Sequence, residues 1–143
     1  MNVNKFKKLL VMNTTRYFSW SDDSQGNNQV ARLTTGIGVK NLDDDVSLTL
    51  TYIENGVLII TFTFDSLEPT ADNLLLVNNF NANVTGMKAS IEQRGRKQYL
   101  IINVECINPL DEEGALNFFI MNMNKINDES TLRYLEPLTV ITK

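Results

Sequence analysis

From Val46 to Glu54 apolar and polar residues alternate: Val46, Leu48, Leu50 and Tyr52 fall on one side, Ser47, Thr49 and Thr51 on the other. A period of two predicts a half-buried strand. Val57 to Phe64 reads Val-Leu-Ile-Ile-Thr-Phe-Thr-Phe, and β-branched and aromatic residues of this kind suit a pleated surface. Leu58, Ile60, Phe62 and Phe64 share its apolar face. Asn55-Gly56 between the two runs supplies the residues preferred where a two-residue hairpin turn needs positive φ. A further strand is expected over about Gln29 to Lys40, with Gly36 and Gly38 marking a bulge in its later half. Met87 to Gln93 and Gln98 to Ile107 predict a second hairpin around Arg94-Gly95-Arg96-Lys97.

Helical spacing takes over elsewhere. Phe6, Leu9, Leu10, Asn13 and Tyr17 recur near 3.6 residues over positions 4 to about 18, with Lys5, Lys8 and Arg16 on other faces. Asn2 or Asn4 is placed to cap this helix. Ser19 to Asn28 crowds Ser, Asp, Gly and Asn together and reads as a loop, with Trp20 tucked at the core boundary. Pro69 suits the first turn of a helix that runs to about Val84 and is ended by Gly86. Leu75, Asn78 or Asn79 and Ala82 form one stripe of it, and Leu76, Phe80 and Val84 another beside Leu74 and Val77. So broad an apolar arc is expected to be buried against both the sheet and a partner surface. Asn108-Pro109 ends the second hairpin, and Asp111, Glu112 and Glu113 stand where the positive end of a helix favours acids. Leu116, Phe119, Ile120, Met123 and Ile126 then keep an i, i+3, i+4, i+7 rhythm, in a helix that continues past Asn127 toward Leu135 before Pro137.

The predicted order is α-β-β-β-α-β-β-α, without internal repeat or linker, as one domain over residues 1–143. Antiparallel hairpins with helices to one side make an α+β fold, the antiparallel sheet packed against helices. A chain of 143 residues buries about 70% of its unfolded surface, enough for a core without metal or disulfide support.

Composition narrows the chemistry. With 13 Lys+Arg against 17 Asp+Glu the net charge is −4, a poor basis for gripping a phosphate backbone, so no nucleic-acid partner is expected. No apolar run approaches the ~18 residues that span a bilayer, so no membrane partner is expected either. Lys5, Lys7 and Lys8 imitate a charged leader, but Leu9 to Met12 is shorter than the usual apolar region of about 7–15 residues. The expected compartment is therefore a reducing cytoplasm, and the glycosylation patterns at Asn13 and Asn83 read as chance matches. Asparagine occurs 18 times; such a bias with many Lys and Ile accompanies AT-rich genomes and hints at a bacterial or phage source.

Histidine is absent, which removes the commonest acid/base group near neutral pH, the Ser-His and Cys-His nucleophile pairs, and imidazole metal sites. Cys106 has no second thiol for a disulfide or zinc site, and Ile102, Val104 and Ile107 around it predict a buried, inert strand position. Asp43-Asp44-Asp45 matches no calcium spacing and reads as a solvated turn. Gly36-Ile37-Gly38 lacks the third glycine and the following helix of a dinucleotide fingerprint. Arg94, Arg96 and Lys97 form a basic hairpin tip, a candidate interaction site for phosphate or an acidic partner, though such tips more often serve solubility. No catalytic, cofactor-binding or metal-ligating residue is expected.

Leu76-Val77-Asn78-Asn79-Phe80-Asn81, followed by Lys88-Ala89 opening a strand, resembles the YbjN-like family, whose members carry a helix ending in an N-x-F-N pattern before a strand, a hairpin and a final helix. Asn78, Phe80 and Asn81 are the matching positions. The motif covers about Leu74 to Ile126; the first 65 residues agree in element order. That family's fold is similar to type III secretion chaperones. The resemblance implies a non-enzymatic, protein-binding role without cofactor, chaperone-like or regulatory, in a homodimer acting on a protein partner through apolar helix and sheet surfaces. It transfers no client-binding residue. Two rivals stand beside it: a phage or mobile-element accessory protein, structural or inhibitory, on the same fold, and an enzyme or small-ligand protein using carboxylates or Arg94.

Overall fold

The computed structural model describes residues 3–13, 19–22, 30–40, 46–53, 57–64, 70–107 and 111–140. Its elements are α1 (Val3–Asn13), β1 (Ser19–Asp22), β2 (Val30–Ile37), β3 (Val46–Ile53), β4 (Val57–Phe64), α2 (Ala71–Asn83), β5 (Lys88–Arg94), β6 (Lys97–Ile107), α3 (Glu112–Ile126) and α4 (Glu129–Val140). The strands form one antiparallel sheet in the order β1-β2-β3-β4-β6-β5, and the fold is α+β, as the periodicities predict.

Alternation along β3 and β4 sends Val46, Leu48, Leu50, Tyr52, Leu58, Ile60, Phe62 and Phe64 into the core. β6 adds Leu100, Ile102 and Val104 to the same face. Onto it pack Phe6 and Leu10 of α1, Val77 and Phe80 of α2, Leu116, Phe119 and Ile126 of α3, and Leu132, Leu135 and Leu138 of α4. α1 lies against α3, and α2 against α4 and β5. Cys106 sits on the core face of β6, half-buried rather than sealed, and packs against this cluster.

Several elements differ from the sequence expectation. Ser19–Asp22 is an edge strand paired with Ala31 to Thr34, not the start of a loop: its low strand propensity is overridden by the ladder that β2 offers. β2 carries no bulge, since Gly36 pairs with Ser47 and Ile37 with Val46 in unbroken register. Ile53 pairs with Val57, so three residues rather than two separate β3 from β4; Asn55-Gly56 itself lies outside the described residues, as do Tyr17, Pro69, Asp43-Asp44-Asp45 and the side chain of Trp20. Arg94 pairs with Lys97, which shortens the second hairpin's turn to Gly95-Arg96, with Gly95 at φ +64°.

α2 starts two residues later than expected. Thr70 caps it, its hydroxyl accepting from the Asn73 N–H at 3.2 Å. Only part of its apolar arc is buried, for Leu74 and Leu75 are 48% and 68% exposed. The last helix is two helices. Asn127 breaks it: its Oδ1 accepts from the Lys40 N–H at 2.7 Å and its Nδ2 donates to the Met123 carbonyl at 3.2 Å. The Asp128 carbonyl then accepts from Thr131 and Leu132 to open α4. α4 runs through Pro137 instead of stopping before it. The bond forfeited to the ring lies near the helix end, where Pro137 is exposed and buried Leu138 anchors the following turn.

Candidate functional site

The most informative region is where α2 meets the β5 edge of the sheet. A helix's final carbonyls need partners, and the Val84 N–H answers Phe80 at 2.9 Å. Gly86 then adopts φ +81°, a left-handed conformation that a side chain disfavours, and turns the chain into β5. Lys125 reaches over from α3 and donates to the Thr85 carbonyl, which fixes this turn against the helical layer.

Two residues of the N-x-F-N pattern do structural work here. Phe80 is fully buried. Asn81 reaches the start of β5: its Oδ1 accepts from the Ala89 N–H at 2.7 Å and its Nδ2 donates to the Ala89 carbonyl at 2.9 Å. Asn78 is exposed.

That bracket orients the whole edge. The N–H and C=O of a strand residue point to the same side, and the side alternates along the strand. Ala89 therefore faces the outer edge, while Lys88 and Ser90 face β6, opposite Asn103 and Ile101. Carried along β6, the alternation turns the backbone groups of Asn103, Glu105 and Ile107 toward β5 and those of Val104 and Cys106 toward β4. β5 begins at Lys88, opposite Asn103. Glu105 and Ile107 thus outrun it, and among the described residues their N–H and C=O groups meet no strand on that side.

A groove of about 900 Å³ occupies this place, lined by Asn81, Thr85, Lys88, Ser90, Asn103 and Glu105, with neighbouring backbone. Its walls are the α2 terminus, the Gly86 turn and the outer face of β5 and β6. Asn103 continues a polar row, Thr34, Thr49, Thr61, Asn103 and Lys88, which the register lines up across five strands. Thr61 Oγ1 donates to Asn103 Oδ1 at 2.8 Å, so the Asn103 NH₂ is left to serve the groove. Lys88 supplies a positive charge and Glu105 a negative one. Ile107, 71% exposed, stands at the end of the open edge. Such a site offers backbone donors and acceptors, one charge of each sign and an apolar neighbour, an arrangement matched to an extended polypeptide.

The basic tip lies elsewhere. From Lys97 to Glu105 is eight residues of β6, about 26 Å at ~3.3 Å per residue. There Arg94 pairs with Glu92 at 3.4 Å and stacks over Tyr99 at 5.5 Å, while Arg96 and Lys97 are exposed. The structure therefore does not bring Arg94, Arg96 or Lys97 to the groove. Sequence reasoning gave neither Glu105 nor Ile107 a role in a site, and it counted Ile107 among the apolar neighbours expected to bury Cys106, whereas Ile107 is exposed. A signal existed, because the two predicted strands of that hairpin differ in length, and the longer must outrun the shorter. Among the described residues no three Cys, Asp or Glu side chains gather to hold a metal, and no helix is long and apolar enough to cross a membrane.

No family model matches the chain, and no curated protein does. Among solved structures it is similar to the crystal structure of YbjN from E. coli, described as a proposed transcription regulator. The two superpose with a TM-score of 0.62 over 93% of this chain and 90% of that one, at 12% identity. The chain has a YbjN-like fold.

Proposed function

We propose that the protein is a non-enzymatic protein-binding module, chaperone-like or regulatory, that takes an extended segment of a protein partner along the open end of β6. The observation that carries this reading is that, among the described residues, no strand pairs with the backbone of Glu105 and Ile107 on the β5 side, beside a groove of about 900 Å³. Strand addition to such an edge draws affinity from main-chain bonds and specificity from alternate side chains. Lys88 and Glu105 favour a segment with both signs of charge, and Ile107 favours an apolar residue next to them. A regulatory role is of the kind proposed for YbjN. The exposed apolar pairs Leu74-Leu75 on α2 and Ile120-Met121 on α3 suit a second copy of the chain, and the working form proposed is a cytoplasmic homodimer.

A photo-crosslinking residue at Ser90, introduced in the native host, tests the groove. Protein adducts are expected at Ser90, strongly reduced when Glu105→Pro removes the open donor, and not at a crosslinker placed at Arg96. Absence of adducts, or adducts that Glu105→Pro leaves undiminished, would overturn the reading.

A further inference from the structure

Beyond this reading, and independent of it, we infer that the Asn81 side chain is a strand surrogate that keeps the β5 edge closed to a second copy of this chain. A primary amide can present its oxygen and one N–H to the same side, as the C=O and N–H of one strand residue do. Asn81 uses both on Ala89, at 2.7 and 2.9 Å, and thereby fills the position that a neighbouring strand would take. β5 is the last strand of the sheet, and an unprotected edge is a template for pairing with another chain.

The sequence of β5 makes one self-pairing attractive. Ala89, Ile91 and Gln93 direct their backbone groups outward, so they alone can bond to an incoming strand. In an antiparallel pair centred on Ser90, Ala89 bonds with Ile91 of the second copy, and Ile91 with its Ala89. That register also sets Lys88 across from Glu92 twice, and opposite charges across a pair are favourable. Every bond in it requires the Ala89 groups that Asn81 holds. The alternatives are poorer. Centring on Ile91 sets Lys88 against Arg94 and again needs Ala89. Centring on Glu92 opposes two glutamates, and centring on Gln93 leaves one bonded residue pair within the strand. Asn81 therefore blocks the register that the charges would select.

Asn81→Ala should release the edge. Two quantities are read: hydrogen exchange at the Ala89 amide, and mass by light scattering across a concentration series. At low concentration Ala89 exchange should accelerate roughly tenfold, the loss expected for one hydrogen bond, while Val104 exchange stays as in the wild type. At high concentration the mass should rise toward twice the wild-type value. Adding Glu92→Lys should return it, since Lys88 then meets lysine. Unchanged Ala89 exchange, unchanged mass, or association that Glu92→Lys does not reduce would each overturn the inference. If Asn81→Ala does not fold, the same readings are decisive on Asn81→Ser, whose hydroxyl is too short to span both bonds.

Discussion

Proline at two adjacent positions of β6 should have sharply different consequences. Val104 directs its N–H to β4, opposite Ile60, and its side chain is 4% exposed. Val104→Pro removes that donor and leaves the Ile60 carbonyl unpaired at a fully buried residue, a cost of about 1–3 kcal/mol. Adding the ring's fixed φ, the total comes to roughly 3 kcal/mol. Glu105 directs its N–H to the side where β5 has already ended. Its side chain is exposed, and its predecessor is already in the extended conformation that a following proline demands. Glu105→Pro should therefore cost no more than about 1 kcal/mol. In urea, with a slope of about 2 kcal/mol per molar, the midpoint should fall by about 1.5 M for Val104→Pro and by no more than about 0.5 M for Glu105→Pro. Equal losses, or the larger loss at Glu105, would mean that the strand alternation is assigned the wrong way round and that the open edge does not exist.

Three other outcomes follow from the packing. Phe80→Ala empties a fully buried position where α2 meets the sheet and should lower stability by about 3–5 kcal/mol in denaturant titration. Asp111→Ala removes the carboxylate that accepts from the Gly114 N–H at 2.7 Å and should cost about 1 kcal/mol in thermal unfolding, with Asp111→Asn restoring most of it. Leu74→Asp with Leu75→Asp touches side chains that are 48% and 68% exposed. Stability should change little, within about 1 kcal/mol, while light scattering should show a lower mass than the wild type if α2 packs on a second copy; an unchanged mass would remove α2 from the proposed interface.

Regular elements were legible because each carries its own period. β3 and β4 alternate, α1 and α3 repeat near 3.6, and the residues so selected include the buried Phe6, Leu10, Leu116, Phe119 and Ile126, while Leu9 and Met123 are half-buried and Asn13 and Ile120 exposed. Local chemistry also placed several ends, among them Gly86 at positive φ and Asp111 at the start of α3. What was misread depends on distant partners. β1 exists because β2 offers it a ladder, and Asn127 ends α3 while holding the Lys40 N–H from across the chain. Neither partner is visible in a local window.

The amino-acid sequence by itself determined the alternation of helices and strands, the apolar faces that drive them together, and the absence of imidazole chemistry, because these are properties of composition and short-range spacing. Tertiary structure decided which backbone groups stay open. Asn81 meets Ala89 through a side-chain bracket eight residues apart, and β6 outruns β5 where Gly86 turns the chain. Hydrogen-bond direction alternates with every residue, so the register, not the identity of Glu105, turns a plain glutamate on a strand into the rim of a groove.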